Sequence, residues 1–344
     1  GFDFFIFTYM VNYYQIIQDL SGISYNHPQI NSFGYGDITQ ITMDVDTQKE
    51  PLYTRCYVVP GQTVFNQNRI DYNFSIIILD QVNNDLSNQQ DVMSDTLEII
   101  KDVWTILYQS YTAQYGGFTI DYEPLWNSPV TPFLERFETV LGGWTMNITV
   151  EQPFDYNTCV LPIVGFNLPE SVNEVNYKQI LKDLNLLSVA HEQINSFGFG
   201  DIEQLTNDIE TKVEPLYTRM YVLPGDVNLE QNQLKYNFQI IVSDRLEDDY
   251  SNQEELMSDT LEICNDIFTV LYLSDYETEW GATCEPFLEE YETVLGGWTM
   301  NMTITQPFDY NRCVLPELPF TTANKKWYEL AELWKDVNQN WKNV

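Results

Sequence analysis

The feature that most constrains this chain is an internal repeat. Ile30-Asn-Ser-Phe-Gly-Tyr-Gly-Asp-Ile38 returns as Ile194-Asn-Ser-Phe-Gly-Phe-Gly-Asp-Ile202. Glu50-Pro-Leu-Tyr-Thr-Arg55 returns as Glu214-Pro-Leu-Tyr-Thr-Arg219, and the ten residues from Glu138 to Asn147 return unchanged as Glu292 to Asn301. The offset is 164 positions (194 − 30) for the early markers and 154 (298 − 144) for the late ones. The first copy therefore carries ten extra residues (164 − 154) between Tyr108 and Pro132. Solenoid periods are roughly 20–50 residues, so this is a duplicated domain. Each copy, at about 150 residues, is long enough to bury a core. A unit written twice in one polypeptide points to symmetry and assembly before it points to chemistry.

The elements inside each copy follow from side-chain period. Tyr13, Ile16, Ile17 and Leu20 sit at i, i+3, i+4 and i+7, and Tyr177, Ile180, Leu181 and Leu184 repeat that stripe, which predicts a core-facing helix. In the Ser-Phe-Gly-aromatic-Gly-Asp stretch two close glycines permit unusual backbone or close approach. A third glycine and a following Lys are missing, so the stretch reads as a bent strand start and not as a phosphate loop. Leu52 to Val59 and Leu216 to Leu223 read as strands stopped by Pro60-Gly61 and Pro224-Gly225. Tyr72, Phe74, Ile76 and Ile78, with Ile77 and Leu79 between them, predict a central strand whose second half is buried on both faces. Ser87-Asn-Gln-Gln90 and Ser251-Asn-Gln-Glu254 read as capping boxes. The helices after them carry Met93, Leu97, Ile100, Trp104 and Leu107 in one copy and Met257, Leu261, Cys264, Phe268 and Leu271 in the other. Gln109 to Val130 reads as an irregular contact loop. The sequons Asn147-Ile-Thr149 and Asn301-Met-Thr303 fall inside predicted strands and read as accidental.

Together these predict an α+β chain of two tandem homologous domains, each a mostly antiparallel sheet packed by two helices, followed by a C-terminal amphipathic helix. The expected boundaries are an extension at 1–10, a first domain at 11–162, a linker at 163–174, a second domain at 175–316 and a helical arm at 317–344. The apolar start before Met10 has no partner in the second copy, and Met10 is expected to be the natural initiator. The linker, with Pro162, Gly165 and Pro169 in or beside it, is short enough to hold the domains in a semi-fixed relation.

Composition narrows the function. Sixteen Lys and Arg face 51 Asp and Glu, a formal net charge of −35. That charge repels phosphate backbones and argues against nucleic-acid binding as the main role. Of five cysteines, only Cys159 and Cys313 correspond between copies. Cys56, Cys264 and Cys284 face Met220, Ile100 and Val130, which reads as reduced thiols rather than a duplicated disulfide framework. There is no CxxC pair, and His27 and His191 are the two histidines; neither pattern is that of a structural zinc site. No run of the sequence has the length and apolarity of a membrane span.

A catalytic constellation does not stand out. There is no GxSxG, HExxH or Walker pattern, and no cofactor or metal is expected. His27 and His191 read as satisfied structural histidines, and the acidic stretches Asp80 to Asp85 and Asp244 to Asp249 as solvated turns, lacking EF-hand spacing. The residues that read as interface are Arg55 and Arg219, basic groups retained in an acidic chain and expected to form ion pairs across a contact, together with Trp126 in the inserted stretch. Trp327, Leu330, Trp334, Val337 and Trp341 form a 3-4-3-4 stripe on the C-terminal arm, so Trp327, Trp334 and Trp341 are expected to fold back or to dock on a neighbour.

The series His-Pro, Phe-Gly-x-Gly-Asp-Ile, Pro-Leu-Tyr, the strand ending at Asp80, Ser-Asn-Gln with Ser-Asp-Thr-Leu, Pro-Phe-Leu-Glu-Arg-Phe and Gly-Gly-Trp-Thr-Met, closing on a Cys before Pro162, resembles tailed-bacteriophage tail-terminator or tail-completion proteins. The resemblance covers most of Val11 to Pro316. It implies small α/β domains forming rings where tail meets neck. The expected role is a non-enzymatic virion protein, assembled in the bacterial host cytoplasm. Its expected partners are itself, as a hexamer or dodecamer, and neighbouring neck, tail or portal proteins. The duplication and the added C-terminal helix depart from the simple terminator pattern. The rival expectations are a stacking tail-tube or sheath subunit, and a duplicated ligand-binding protein or enzyme with a pocket between the copies.

Overall fold

The structure is a computed structural model that describes residues 12–41, 53–112, 120, 122–125, 128–136, 139–154, 162–163, 177–201, 205, 217–230, 233–247, 249–274, 276–279, 281–290 and 294–307. The first half runs α1 (Tyr13–Asn26), β1 (Ser32–Tyr35), β2 (Arg55–Asn66), β3 (Arg69–Val82), α2 (Gln89–Thr112), β4 (Glu123–Pro124), β5 (Val130–Arg136) and β6 (Val140–Pro153). The second half repeats that order as α3 (Tyr177–Ala190), β7 (Ser196–Phe199), β8 (Arg219–Glu230), β9 (Gln233–Arg245), α4 (Gln253–Tyr272), β10 (Glu277–Thr278), β11 (Ala282–Glu290) and β12 (Val294–Pro307). The fold is α+β, with two strand-and-helix clusters on a mixed sheet.

The strands do not form one sheet per half. All twelve share a single sheet in the order β4-β6-β3-β2-β11-β12-β9-β8-β7, with β1 beside β2, β5 beside β6 and β10 beside β12. The sheet is mixed because β1 runs parallel to β2, and β7 parallel to β8. A parallel pair needs a long connection, and residues 36–54 separate β1 from β2 in the sequence.

Helix α1 buries Tyr13, Ile16, Ile17 and Leu20 as its stripe requires. Strand β3 lies between β2 and β6. Its Phe74, Ile76 and Ile78 enter the helix-covered core, while Ile77 and Leu79 pack on the opposite face with Ile41, Tyr57 and Leu141. The helix-covered core is continuous across both halves. Further along the uncovered face the strands are polar: the Ser75 hydroxyl bonds the Asn147 side chain at 2.7 Å, and the Thr303 hydroxyl bonds that of Asn237 at 2.7 Å. Both sequon asparagines, Asn147 and Asn301, lie within strands.

Two local expectations are corrected. Pro60-Gly61 and Pro224-Gly225 do not stop their strands. Strands β2 and β8 continue through them, with a register shift between Pro60 and Thr63 and between Pro224 and Val227. The bulge is held from the neighbouring strand, where the Asn73 amide donates to the Gln62 carbonyl and the Asn237 amide donates to the Asp226 carbonyl. Nor do Ser87 and Ser251 cap the following helices. Asn252 is the N-cap of α4, and its side chain makes no bond to the helix. It turns back instead, accepting from the Glu247 amide at 2.9 Å and donating to the Arg245 carbonyl at 3.2 Å. Asn88 does the same with Asn83 and Gln81. The side chain closes the strand-to-helix turn in place of the helix end.

The extra length of the first half is also located. Glu123 and Glu277 begin β4 and β10 at the late offset, 277 − 123 = 154. The added residues therefore enter before Glu123. The helix also differs, α2 having 24 residues and α4 having 20.

Candidate functional site: the junction between sheet edges

The two halves meet where β2 pairs antiparallel with β11, in the register Phe65↔Ala282, Val64↔Thr283 and Thr63↔Cys284. The Gly281 amide adds a bond to the Phe65 carbonyl at 3.2 Å. Gly281 has φ +92, a conformation open to glycine and costly for other residues. On the helix side of this seam the Phe65 ring packs against Phe268 of α4, centroids 5.5 Å apart. Tyr13 of α1 sets its ring edge-on to Trp298 of β12 at 5.5 Å and 86°. Above them α1 lies on α4. The Tyr14 amide donates to Ser258 Oγ at 3.3 Å, and the Gln18 amide donates to Glu254 Oε2 at 2.7 Å. Gln40 and Gln253 form a buried reciprocal amide pair at 3.3 and 3.2 Å. Gly36, at φ +145, leaves the space that the Gln40 side chain fills.

The junction is acidic and partly desolvated. Burial, only partly offset by the Gln18 hydrogen bond, raises the Glu254 carboxyl above its ordinary range. Burial and the charges of Asp259 and Asp266 raise Glu262, and burial with Glu255 and Asp244 raises Asp259. Beneath the seam the buried Cys284 thiol is held well above its ordinary value by burial and by its neighbour Cys264.

Among the described residues, several side chains of this seam have counterparts at an outer end of the sheet that are less covered. Thr63 is 0% exposed and its counterpart Val227 is 45%; Phe65 is 0% and Leu229 is 73%. Tyr13 and Trp298 are buried, whereas Tyr177 and Trp144 are half-buried. Phe268, Gln253 and Cys284 are buried, whereas Trp104, Gln89 and Val130 are half-buried. The repeat order runs head to tail, so the β2-type edge ends one side of the molecule at β8 and the β11-type edge ends the other at β5. Among the described residues no strand pairs with β8 beyond Val222 on its outer side.

The residues singled out from sequence lie elsewhere. Arg55 and Arg219 are buried within their own halves. Each guanidinium lies over a tyrosine of the same strand, Tyr57 or Tyr221, 5.1 Å from the ring centroid. Gly34 and Gly198 of the repeated glycine stretch face these pairs, and a Cβ at either would strike both the guanidinium and the ring. That packing is why the motif needs glycine there. Trp126, Trp327, Trp334 and Trp341 lie outside the described residues, as do Cys159 and Cys313.

His27 and His191 close their helices onto the next. Each accepts a backbone amide at Nδ1, from Gln29 at 3.3 Å and from Gln193 at 3.2 Å. The other ring nitrogen, Nε2, faces Asp102 at 3.5 Å in His27 and Asp266 at 3.3 Å in His191. In the acidic turns, Asp80 and Asp244 accept from the Thr54 and Thr218 hydroxyls at 2.7 and 2.6 Å. A further buried pair went unnoticed in the sequence: Tyr276 Oη donates to Asp183 at 2.5 Å, and Asp183 also accepts from Gln179 at 2.8 Å. An open cavity of about 490 Å³ lies at the β8 bulge, lined by second-half residues that include Asn237, Gln239, Thr283 and Asn301.

The seam itself was not found from sequence. Its one available signal is a mismatch between counterparts, Phe65 against Leu229 and Cys284 against Val130, in a repeat that otherwise keeps its core residues. Compared with protein-family models, with curated proteins and with solved structures, the chain finds no match.

Proposed function

We propose that this chain is a structural subunit of a tailed-bacteriophage virion that builds a ring at the neck–tail junction, as a tail terminator, tail-completion protein or connector ring. In this reading the halves are two homologous units, each a mostly antiparallel part of the shared sheet packed by two helices, and the arm at 317–344 is an amphipathic helix that docks on a domain or a neighbour. The supporting observation is the head-to-tail order of the halves in one sheet. A contact that joins unlike faces of like units repeats by a constant rotation, and it closes into a ring or winds into a helix. The fused pair is one step of that rotation, fixed by covalent linkage. Six chains would supply twelve units, and the helix-free face, with its Ser, Thr and Asn rows, would line the bore. A neutral-to-acidic lining would let nucleic acid pass without holding it.

The test is imaging and weighing of the purified full-length chain. Closed rings with a central opening, whose mass is a whole multiple of the chain mass, support the reading. A filament favours the tail-tube alternative. A lone particle that binds or turns over a small molecule overturns it.

A further inference from the structure

We infer that the outer edge of β8 at Val227–Leu229 pairs with Ser128–Val130, at the start of β5, in a second copy of this chain, antiparallel and in the register of the internal seam. The inference rests on the proposed ring and names the surface that makes it. The internal seam pairs Phe65, Val64 and Thr63 with Ala282, Thr283 and Cys284. Carrying the two repeat offsets across gives Leu229↔Ser128, Asn228↔Pro129 and Val227↔Val130 between chains. The contact is thus continuous with an interface already present in the molecule.

The side chains around it remain complementary. Leu229, 73% exposed, takes the place of Phe65, and the neighbour's Trp104 takes the place of Phe268. The smaller residue meets the larger ring, so the volume at the contact is roughly kept. Tyr177 stands where Tyr13 does, and the neighbour's Trp144 where Trp298 does. Within its own half Tyr177 already stacks on Phe238 at 5.6 Å, as Tyr13 packs on Phe74 at 5.1 Å. Tyr177 also has Tyr236 and Phe199 beside it, and the ring contact of Tyr13 that it does not reproduce within its own half is the tryptophan edge. On the helices, the Gln18–Glu254 bond becomes Lys182 with the neighbour's Gln90, again a donor facing an acceptor.

Pro129 departs from the pattern. It replaces Thr283, and because its carbonyl accepts from the Asn147 amide of β6 at 3.2 Å, the N–H it lacks is an inward one; the outer seam keeps its donors while the ring stiffens the edge. Proline on a sheet edge also blocks indiscriminate strand pairing. An edge so protected pairs only where side chains supply the rest, which favours one partner and one register.

Two measurements on the full-length chain decide it. The double variant Ser128→Cys, Leu229→Cys places thiols on directly opposed positions, within reach of a disulfide. Mild oxidation is expected to give a ladder of covalently linked chains, absent from either single variant and from the unmodified protein. Leu229→Asp puts a charge into the apolar contact. It is expected to leave the thermal midpoint of the unassembled chain unchanged and to raise the concentration for half-assembly at least about tenfold.

No ladder, or a disulfide ladder without the partner cysteine, overturns the pairing. So does an unaltered assembly in Leu229→Asp: if rings persist in its images, the ring reading stands and only this seam falls. If the unmodified protein forms no assembly at all, the ring reading falls and takes the seam with it. A cross-link from Leu229→Cys to a native cysteine of the same chain means that its own C-terminal segment covers the edge, which also overturns the proposal.

Discussion

Phe65 and Phe268 come from different halves of the chain, yet their rings lie 5.5 Å apart and both are buried. Phe65 leaves the edge of its own sheet region to complete the neighbouring core. Truncating a buried phenylalanine costs about 3–5 kcal/mol, so Phe65→Ala is expected to destabilise the chain by that amount. Leu229 holds the same place in the repeat, and Leu229→Ala is expected to change the unassembled chain by less than about 0.5 kcal/mol. Urea unfolding of both variants at low protein concentration checks the contrast. Equal effects would mean that the seam contributes nothing particular to stability.

The Tyr276–Asp183 bond ties α3 to the segment entering β10. Tyr276→Phe removes the donor to one carboxylate oxygen and leaves the other with Gln179. A buried acceptor left without its donor costs about 1–3 kcal/mol. A lower urea midpoint with an unchanged slope is the expected signature.

Gly198 faces the Arg219 guanidinium and the Tyr221 ring with no space for a methyl group. Gly198→Ala must therefore push β7 off β8 or dislodge the stacked pair. Overpacking of this kind costs about 1–3 kcal/mol. Gly34→Ala should behave alike in the first half. Thermal unfolding of each single variant tests it, and an unchanged midpoint in both would remove the packing explanation for the motif.

Glu254, Asp259 and Glu262 all titrate above their ordinary range, chiefly through burial. The folded chain thus binds their protons more readily than the unfolded chain does, and stability falls as pH rises. The contribution is fully present below the ordinary carboxylate values of about 4 and is lost as pH climbs through the raised ones. Asp85 and Asp249 act oppositely. Hydrogen bonds from Ser87 and Ser251 lower them, so what they contribute is lost only under stronger acid. Lowering the pH from neutral toward the ordinary carboxylate values of about 4 should therefore raise the thermal midpoint at constant ionic strength. Glu262→Gln should flatten that rise. A midpoint that falls over this interval contradicts the account.

Much of each half was readable from the chain. The stripe of Tyr13, Ile16, Ile17 and Leu20, and the alternation through Tyr72 to Leu79, fix side chains to faces at periods of 3.6 and 2. Those periods act within a few residues, so a linear reading captures them. The capping box expected at Ser251 and the strand end expected at Pro60-Gly61 both fail because the outcome depends on a partner several residues away or on the next strand: the Glu247 amide and Arg245 carbonyl that hold Asn252 for one, Asn73 for the other. Arg55 reads from the sequence as one partner of an ion pair across a contact; that its guanidinium is enclosed between Tyr57 of its own strand and Gly34 follows only once β1 and β2 pair.

The linear chain carries the facts that one unit occurs twice, which helices and strands compose it, and which of their faces are apolar. That the two units share one sheet, joined at Phe65 and Ala282 with unlike edges left at opposite ends, came only from packing in three dimensions. The reason is physical. Strand edges join through backbone N–H and C=O groups that nearly every residue carries alike, so no side-chain pattern announces which edge will meet which. That choice is made by the shapes brought together on either side of the seam.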